Sequence, residues 1–159
     1  MQQQIHSLGS DHCGFSLAQR EGIDDFSRVS PGIPGVETSL LLLYTFGVLE
    51  HHMTLRHLVW LLSANPAKIF GLWPRKGDIR PGSDADLVLF DPRPVRKLSV
   101  FELHSRAGFS PYEGLTVSGK VHTTICRGQV VYRDGTVVGD RGFGQFLKCA
   151  PFNPEAVPL

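Results

Sequence analysis

The sequence predicts an α/β chain, and three observations carry that reading. A short β-like run stops at a carboxylate before a long loop, a largely apolar helical stretch covers residues 36–71, and a Gly- and Pro-punctuated β region follows. The grammar changes once, near Trp73, from helical to strand-like, and no internal repeat is present.

Residues 5–10 read as a short strand, and Asp11 closes it just before a loop that contains Gly14 and runs through Gly22 to Gly35. Long loops within compact domains tend to be functional. Within this one, Ser30-Pro31-Gly32-Ile33-Pro34-Gly35 is too rich in Pro and Gly for helix or central strand and reads as a rigid turn. Over residues 36–49 the chain is apolar on nearly every side, with Leu40, Leu41, Leu42, Leu43, Phe46 and Val48, as expected of a helix packed between other elements. Thr54 is placed to cap the next helix, whose Leu55, Leu58, Val59 and Leu62 follow the i, i+3, i+4, i+7 stripe. Asn65-Pro66 then restarts a short helix that Gly71 ends.

Beyond Gly71, the run from Asp86 to Asp91 is a strand stopped by Pro92. Residues 121–126 and 129–133 form two strands around Arg127-Gly128, and Asp134-Gly135 is a second tight turn before Thr136-Val137-Val138, which makes a meander. Pro151, Pro154 and Pro158 mark an extended, weakly ordered tail.

The 159 residues are 42% hydrophobic and 19% charged, a globular composition with enough length for a domain-sized core. A formal net charge of +1, with Lys and Arg scattered, gives no broad electrostatic reason to expect nucleic acid or an anionic membrane as partner. Cys13, Cys126 and Cys149 are odd in number and include no Cys-x-x-Cys pair, so neither a disulfide framework nor a cysteine zinc knuckle is expected. The first residues lack the basic start and apolar run of a secretion signal, and no apolar stretch is long enough to span a bilayer. A soluble cytoplasmic protein is the expectation.

Chemistry concentrates at Gly9-Ser10-Asp11-His12-Cys13-Gly14-Phe15. Barrel enzymes place catalytic groups where a strand ends in a loop, because the barrel holds the strand end while the loop varies. An Asp before a loop also serves as a turn or cap residue. Neighbouring strand residues point to opposite faces, so His12 is expected to be a packed, hydrogen-bonded side chain rather than a second ligand beside Asp11. No base is evident to activate Cys13 as a nucleophile, which leaves a pocket-wall residue or a buried apolar cysteine. His51 and His52 precede the Thr54 cap and His57 follows it, so a solvated helix connection is expected rather than a metal site.

Five blocks occur in order: the Gly9 to Phe15 run; Pro31-Gly32-Ile33-Pro34-Gly35-Val36-Glu37; Asn65-Pro66-Ala67-Lys68-Ile69-Phe70-Gly71-Leu72; Lys76-Gly77-Asp78-Ile79 with Gly82-Ser83-Asp84-Ala85-Asp86-Leu87-Val88; and Ser110-Pro111-Tyr112-Glu113-Gly114. In this order the chain resembles the cyclic amide hydrolases of the amidohydrolase superfamily. The nearest branch is D-hydantoinase and dihydropyrimidinase, with allantoinase and dihydroorotase as relatives.

The resemblance implies a C-terminal fragment of a (β/α)8 metal-dependent hydrolase barrel plus the C-terminal share of a small β-sandwich. Residues 1–72 would be the last barrel strand and its helices, 73–140 the sandwich segment and 141–159 the extended tail. It implies two divalent metal ions, zinc in most members, in the complete enzyme. It also implies a cyclic amide substrate, an N-terminal partner segment that completes the barrel, and a homo-oligomer. By the same resemblance Asp11 is both a metal ligand and the catalytic proton shuttle, Cys13 lines the substrate pocket, and Pro31 and Gly32 hold the ring's amide through main-chain groups. Pro31 offers a carbonyl but no N–H, where the hydantoinase pattern commonly has Asn; Phe15 stands where dihydroorotases usually carry a second histidine, which favours a neutral ring. The family's His-x-His pair has no counterpart, because no two of His6, His12, His51, His52, His57, His104 and His122 are separated by a single residue. The chain alone is therefore expected to bind no metal tightly and to be inactive. A second reading, from a different class, is a non-catalytic oligomerisation module related to dihydropyrimidinase; a third is a free-standing β-sandwich binding module.

Overall fold

The computed structural model describes residues 5–153; residues 154–159 of the expected tail, and the first four residues, lie outside the described residues. The first half is helical. Helix α1 (Ser39–Leu42) runs directly into a π-helical stretch (Leu43–Glu50), and α2 (Leu55–Val59) continues through a second π-helical stretch (Trp60–Ala64) into α3 (Asn65–Ile69). Thr54 caps α2 as expected, its hydroxyl accepting from the His57 amide at 3.1 Å. Thr54→Ala is expected to cost about 1 kcal/mol, read as a lower midpoint in urea denaturation. At the other end, the Gly71 and Leu72 amides donate to the carbonyls of Lys68 and Ala67, a Schellman closure, with Gly71 at φ 64°.

The expected stripe on the second helix is shifted. Leu58 and Leu61 are buried, whereas Leu55 and Val59 are 58% and 57% exposed. The covered face is the one that carries Leu58 and Leu61, three residues apart, and Leu55 and Val59 lie off it.

The second half is a four-stranded antiparallel sheet in the order β1 (Leu87–Lys97), β2 (Thr116–Cys126), β3 (Gln129–Arg133), β4 (Thr136–Val137). The meander is the expected one. Both hairpin turns have two central residues at positive φ, Arg127-Gly128 at 47° and 80° and Asp134-Gly135 at 47° and 91°, the backbone that a type I′ turn requires. Pro92 does not stop β1, contrary to expectation. The register jumps between Asp91, opposite Lys120, and Val95, opposite Ser118, so Pro92 and Pro94 fall in a bulge of an edge strand where no ladder donor is needed.

Helix and sheet meet at Leu41, Leu98 and Val117, flanked by Leu42, Phe90 and Tyr112. The Tyr44 ring stands edge-on to Phe90 at 4.9 Å between centroids. Thr45 joins the two layers: its hydroxyl donates to the Leu41 carbonyl at 2.8 Å and accepts from the Ser118 amide at 2.9 Å, close to the β1 bulge. Lys76 reaches both Asp84 and Asp86, and the Asp86 carboxylate accepts from the Arg127 amide at 2.7 Å. This pins the segment before β1 to the β2–β3 turn. The hydrogen bond from Lys76 is the main reason the Asp84 carboxyl lies below the ordinary carboxylate value.

Residues 5–10 form no strand, which corrects the sequence expectation. A strand exists only with a hydrogen-bonded neighbour, and the contacts here are the Leu8 amide donating to the Leu61 carbonyl at 3.4 Å and the Asn65 side-chain amide donating to the His6 carbonyl. The segment lies along the helices.

Candidate active site

Asp11 sits on an exposed stretch with φ 44°, a left-handed conformation that Asp tolerates better than most residues because its short side chain bonds locally. Immediately after it the chain meets the Pro- and Gly-rich loop. His12 forms a parallel bridge with Ile33, and the Cys13 amide donates to the Ile33 carbonyl at 3.0 Å. Asp11, Cys13 and the 31–35 loop are therefore gathered in one place by a single β-bridge.

Gly32 lies directly on Cys13. A Cβ added at Gly32 would stand 2.5 Å from the Cys13 Cβ, and its φ of 136° is a backbone that L side chains rarely adopt. The Arg20 guanidinium donates to the Gly32 carbonyl and lies 4.9 Å from the Phe109 ring centroid, so a side chain that sequence reasoning passed over holds the loop from behind. Arg20 itself stands at the end of a 3-10 turn, Leu17–Gln19, closed by a capping box between Ser16 and Gln19. The Ser-x-x-Gln spacing was a readable signal for that turn within what was expected to be open loop.

His12 is hydrogen-bonded as expected, its Nδ1 accepting from the Val36 amide at 3.3 Å, yet it is exposed rather than packed. His51 and His52 are exposed in the helix connection, and the His57 ring stands edge-on to Trp60 at 5.7 Å. Among the described residues no group of three or more His, Cys, Asp or Glu side chains could hold a metal ion. Asp11 belongs to no such group.

Glu37 ends the loop and points across to the sheet. Its carboxylate accepts from the His104 amide at 2.8 Å and contacts the His104 Nδ1 at 2.7 Å. The Glu37 hydrogen bond raises the His104 pKa above its ordinary 6.5, against the opposing effect of partial burial. Sequence alone gives no signal for a contact 67 residues apart.

The chain belongs to the amidohydrolase family, whose profile matches residues 3–131. It is 45% identical over 155 residues to the D-phenylhydantoinase of Escherichia coli O1:K1, an alignment covering 96% of this chain and 34% of that protein. Among solved structures it is similar to D-hydantoinase from Bacillus sp. AR9, with a TM-score of 0.90 at 42% identity, covering 93% of this chain and 33% of the other. It is also similar to dihydropyrimidinase from Brevibacillus agri, with a TM-score of 0.90 at 39% identity and 93% and 32% coverage. The chain spans about a third of the length of these relatives. Among the described residues no helix is long and apolar enough to cross a membrane.

Proposed function

We propose that this chain is the C-terminal third of a metal-dependent cyclic amide hydrolase that opens a hydantoin or dihydropyrimidine-like ring in the cytoplasm. Residues 1–72 would complete a (β/α)8 barrel, 73–140 would supply part of a β-sandwich, and 141–159 would be its tail. The observation that carries this reading is the match to D-phenylhydantoinase along 96% of the chain at 45% identity. Two features of the fold support the need for further polypeptide. Residues 5–10 have no strand beside them among the described residues, and Leu55 and Val59 leave an apolar helix face 58% and 57% exposed.

In the complete enzyme Asp11 would be one ligand of a divalent metal pair, zinc by resemblance, with the other donors supplied by the N-terminal segment. The part played by this chain is proton handling and substrate placement. As water adds to the ring carbonyl carbon, the Asp11 carboxylate takes the proton released and returns it to the ring nitrogen as the C–N bond breaks. The products are a carboxylic acid, which then gives its proton to solvent, and an open-chain nitrogen that carries the returned hydrogen, with Asp11 unchanged overall. Cys13 would wall the pocket, while the Pro31 carbonyl and the Gly32 main chain would meet the ring's amide. The whole enzyme would be a homo-oligomer.

Co-expression with the N-terminal two-thirds of a D-phenylhydantoinase tests this. The assembled complex is expected to bind divalent metal and open hydantoin or dihydrouracil, whereas the 159-residue chain alone should bind less than about one zinc per chain by elemental analysis. Two zinc ions on the isolated chain, or a metal-loaded complex inert toward both rings, would overturn the reading.

A further inference from the structure

We propose that the Glu37–His104 pair is a positioning clamp on the 31–37 loop, strongest while His104 carries its proton and weakened to its backbone contact when the imidazole is neutral. The pair links the two halves of the fold. Glu37 ends the loop whose Gly32 packs on Cys13, and His104 follows the 3-10 turn Val100–Glu102 that lies between β1 and β2. Both carboxylate oxygens are engaged, one by the His104 amide at 2.8 Å and one by the imidazole Nδ1 at 2.7 Å. The imidazole is held in turn by an edge-on contact with Tyr132 at 5.9 Å and by a backbone hydrogen bond at Gly135.

The pair also stands between two cavities. One, of about 220 Å³, lies on the site side and is lined by His12, Pro34 and Val36; the other, an open groove of about 900 Å³, runs along the sheet face. Glu37 and His104 line both.

The groups facing the imidazole set the sign. Glu37 is its direct partner, and Arg96, Glu102 and Lys120 share the open groove, where Arg96 and Glu102 are paired with each other. Glu37 raises the His104 pKa above 6.5, so the charged contact is fully present below that value and is lost as pH rises through the raised value, leaving the amide contact. His12 faces the pair from the site side, its Nδ1 accepting from the Val36 amide.

The Cys13 thiol reports on the loop, because Gly32 covers it. The bearing of the clamp on ring opening rests on the function proposed above, but its test does not. Cys13 alkylation in the 159-residue chain, located by peptide mass spectrometry to separate it from Cys126 and Cys149, should be about two- to five-fold faster in Glu37→Gln than in the parent at about pH 6, the range a partly exposed ion pair supports. His104→Gln should match it. At about pH 9 the difference should shrink, since the ion pair is then gone and only the amide contact remains. In the parent itself, the Gly32 and Ile33 amide shifts should follow the His104 ring titration with a common midpoint, and that midpoint should fall in Glu37→Gln.

Equal alkylation rates in parent and variants at about pH 6 would overturn the clamp. So would loop amides that ignore the His104 titration, a measurement that needs no variant. Neither readout involves ring opening, so failure of the clamp and failure of the functional proposal are separately visible.

Discussion

Asp11→Asn in the assembled enzyme is expected to reduce hydantoin opening by on the order of 10³-fold or more while leaving the fold intact. Asn is the informative replacement. Asp11 sits at φ 44°, where Asn is also tolerated, so the substitution removes the charge and the proton-carrying oxygen with little change in backbone energy. Asp11→Ala would add left-handed strain of about 1–2 kcal/mol and confuse the two effects. Because the residue is exposed, the unfolding free energy of the isolated chain in urea should stay within about 0.5 kcal/mol of the parent for Asn. Ring opening followed by absorbance at saturating substrate reads the catalytic effect. A variant that turned over at the parent rate would remove Asp11 from the proton path.

Gly32→Ala is the second large effect, and here the cost is steric. The new Cβ would stand 2.5 Å from the Cys13 Cβ and 2.7 Å from the Cys13 carbonyl oxygen, at a φ of 136°. Cys13 cannot step aside easily, since its amide donates to the Ile33 carbonyl at 3.0 Å. Backbone strain and overlap together should cost about 3 kcal/mol, or the loop must swing off Cys13. Urea denaturation and the Cys13 alkylation rate distinguish these outcomes, and in either case ring opening in the assembled enzyme should fall. Gly22→Ala is the control: its φ of 70° carries backbone strain, but its Cβ would meet nothing within 4 Å. Its penalty should be the smaller, about 1–2 kcal/mol. Equal penalties at the two positions would mean that contact with Cys13 contributes nothing.

The helical half was legible where local chemistry decides structure. Thr54 and Gly71 mark the helix ends because a hydroxyl that satisfies a free amide and a residue that accepts positive φ are local requirements. The π-helical stretches were not legible. Leu55, Leu58, Val59 and Leu62 satisfy a 3.6-residue period, and nothing in their spacing tells that the backbone widens after Val59 or that Leu61 is covered while Leu55 and Val59 are not. Pro92 was read by a rule for central strands, whereas β1 is an edge whose bulge accepts two prolines. The strand expected over residues 5–10 failed for a related reason: a short β-like run describes a segment able to pair, and pairing is a property of two segments.

The candidate site divides in the same way. The ordered blocks placed Asp11, Cys13, Pro31 and Gly32 in one family pattern, and the bridge from His12 to Ile33 brings that stretch and that loop into contact. Arg20 behind Gly32 and His104 against Glu37 were invisible, since each is an ordinary charged or titratable side chain until folding supplies its partner.

The sequence by itself determined the family, the meander with its two I′ turns, the helix caps and the carboxylate that opens the loop. All of these depend on residues close together in the chain or on motifs kept in order. Only the tertiary structure decided which helix face is covered, whether residues 5–10 pair as a strand, and which side chains hold the loop over Cys13. Those outcomes depend on what lies across space, and local propensity carries no information about a neighbour many residues away.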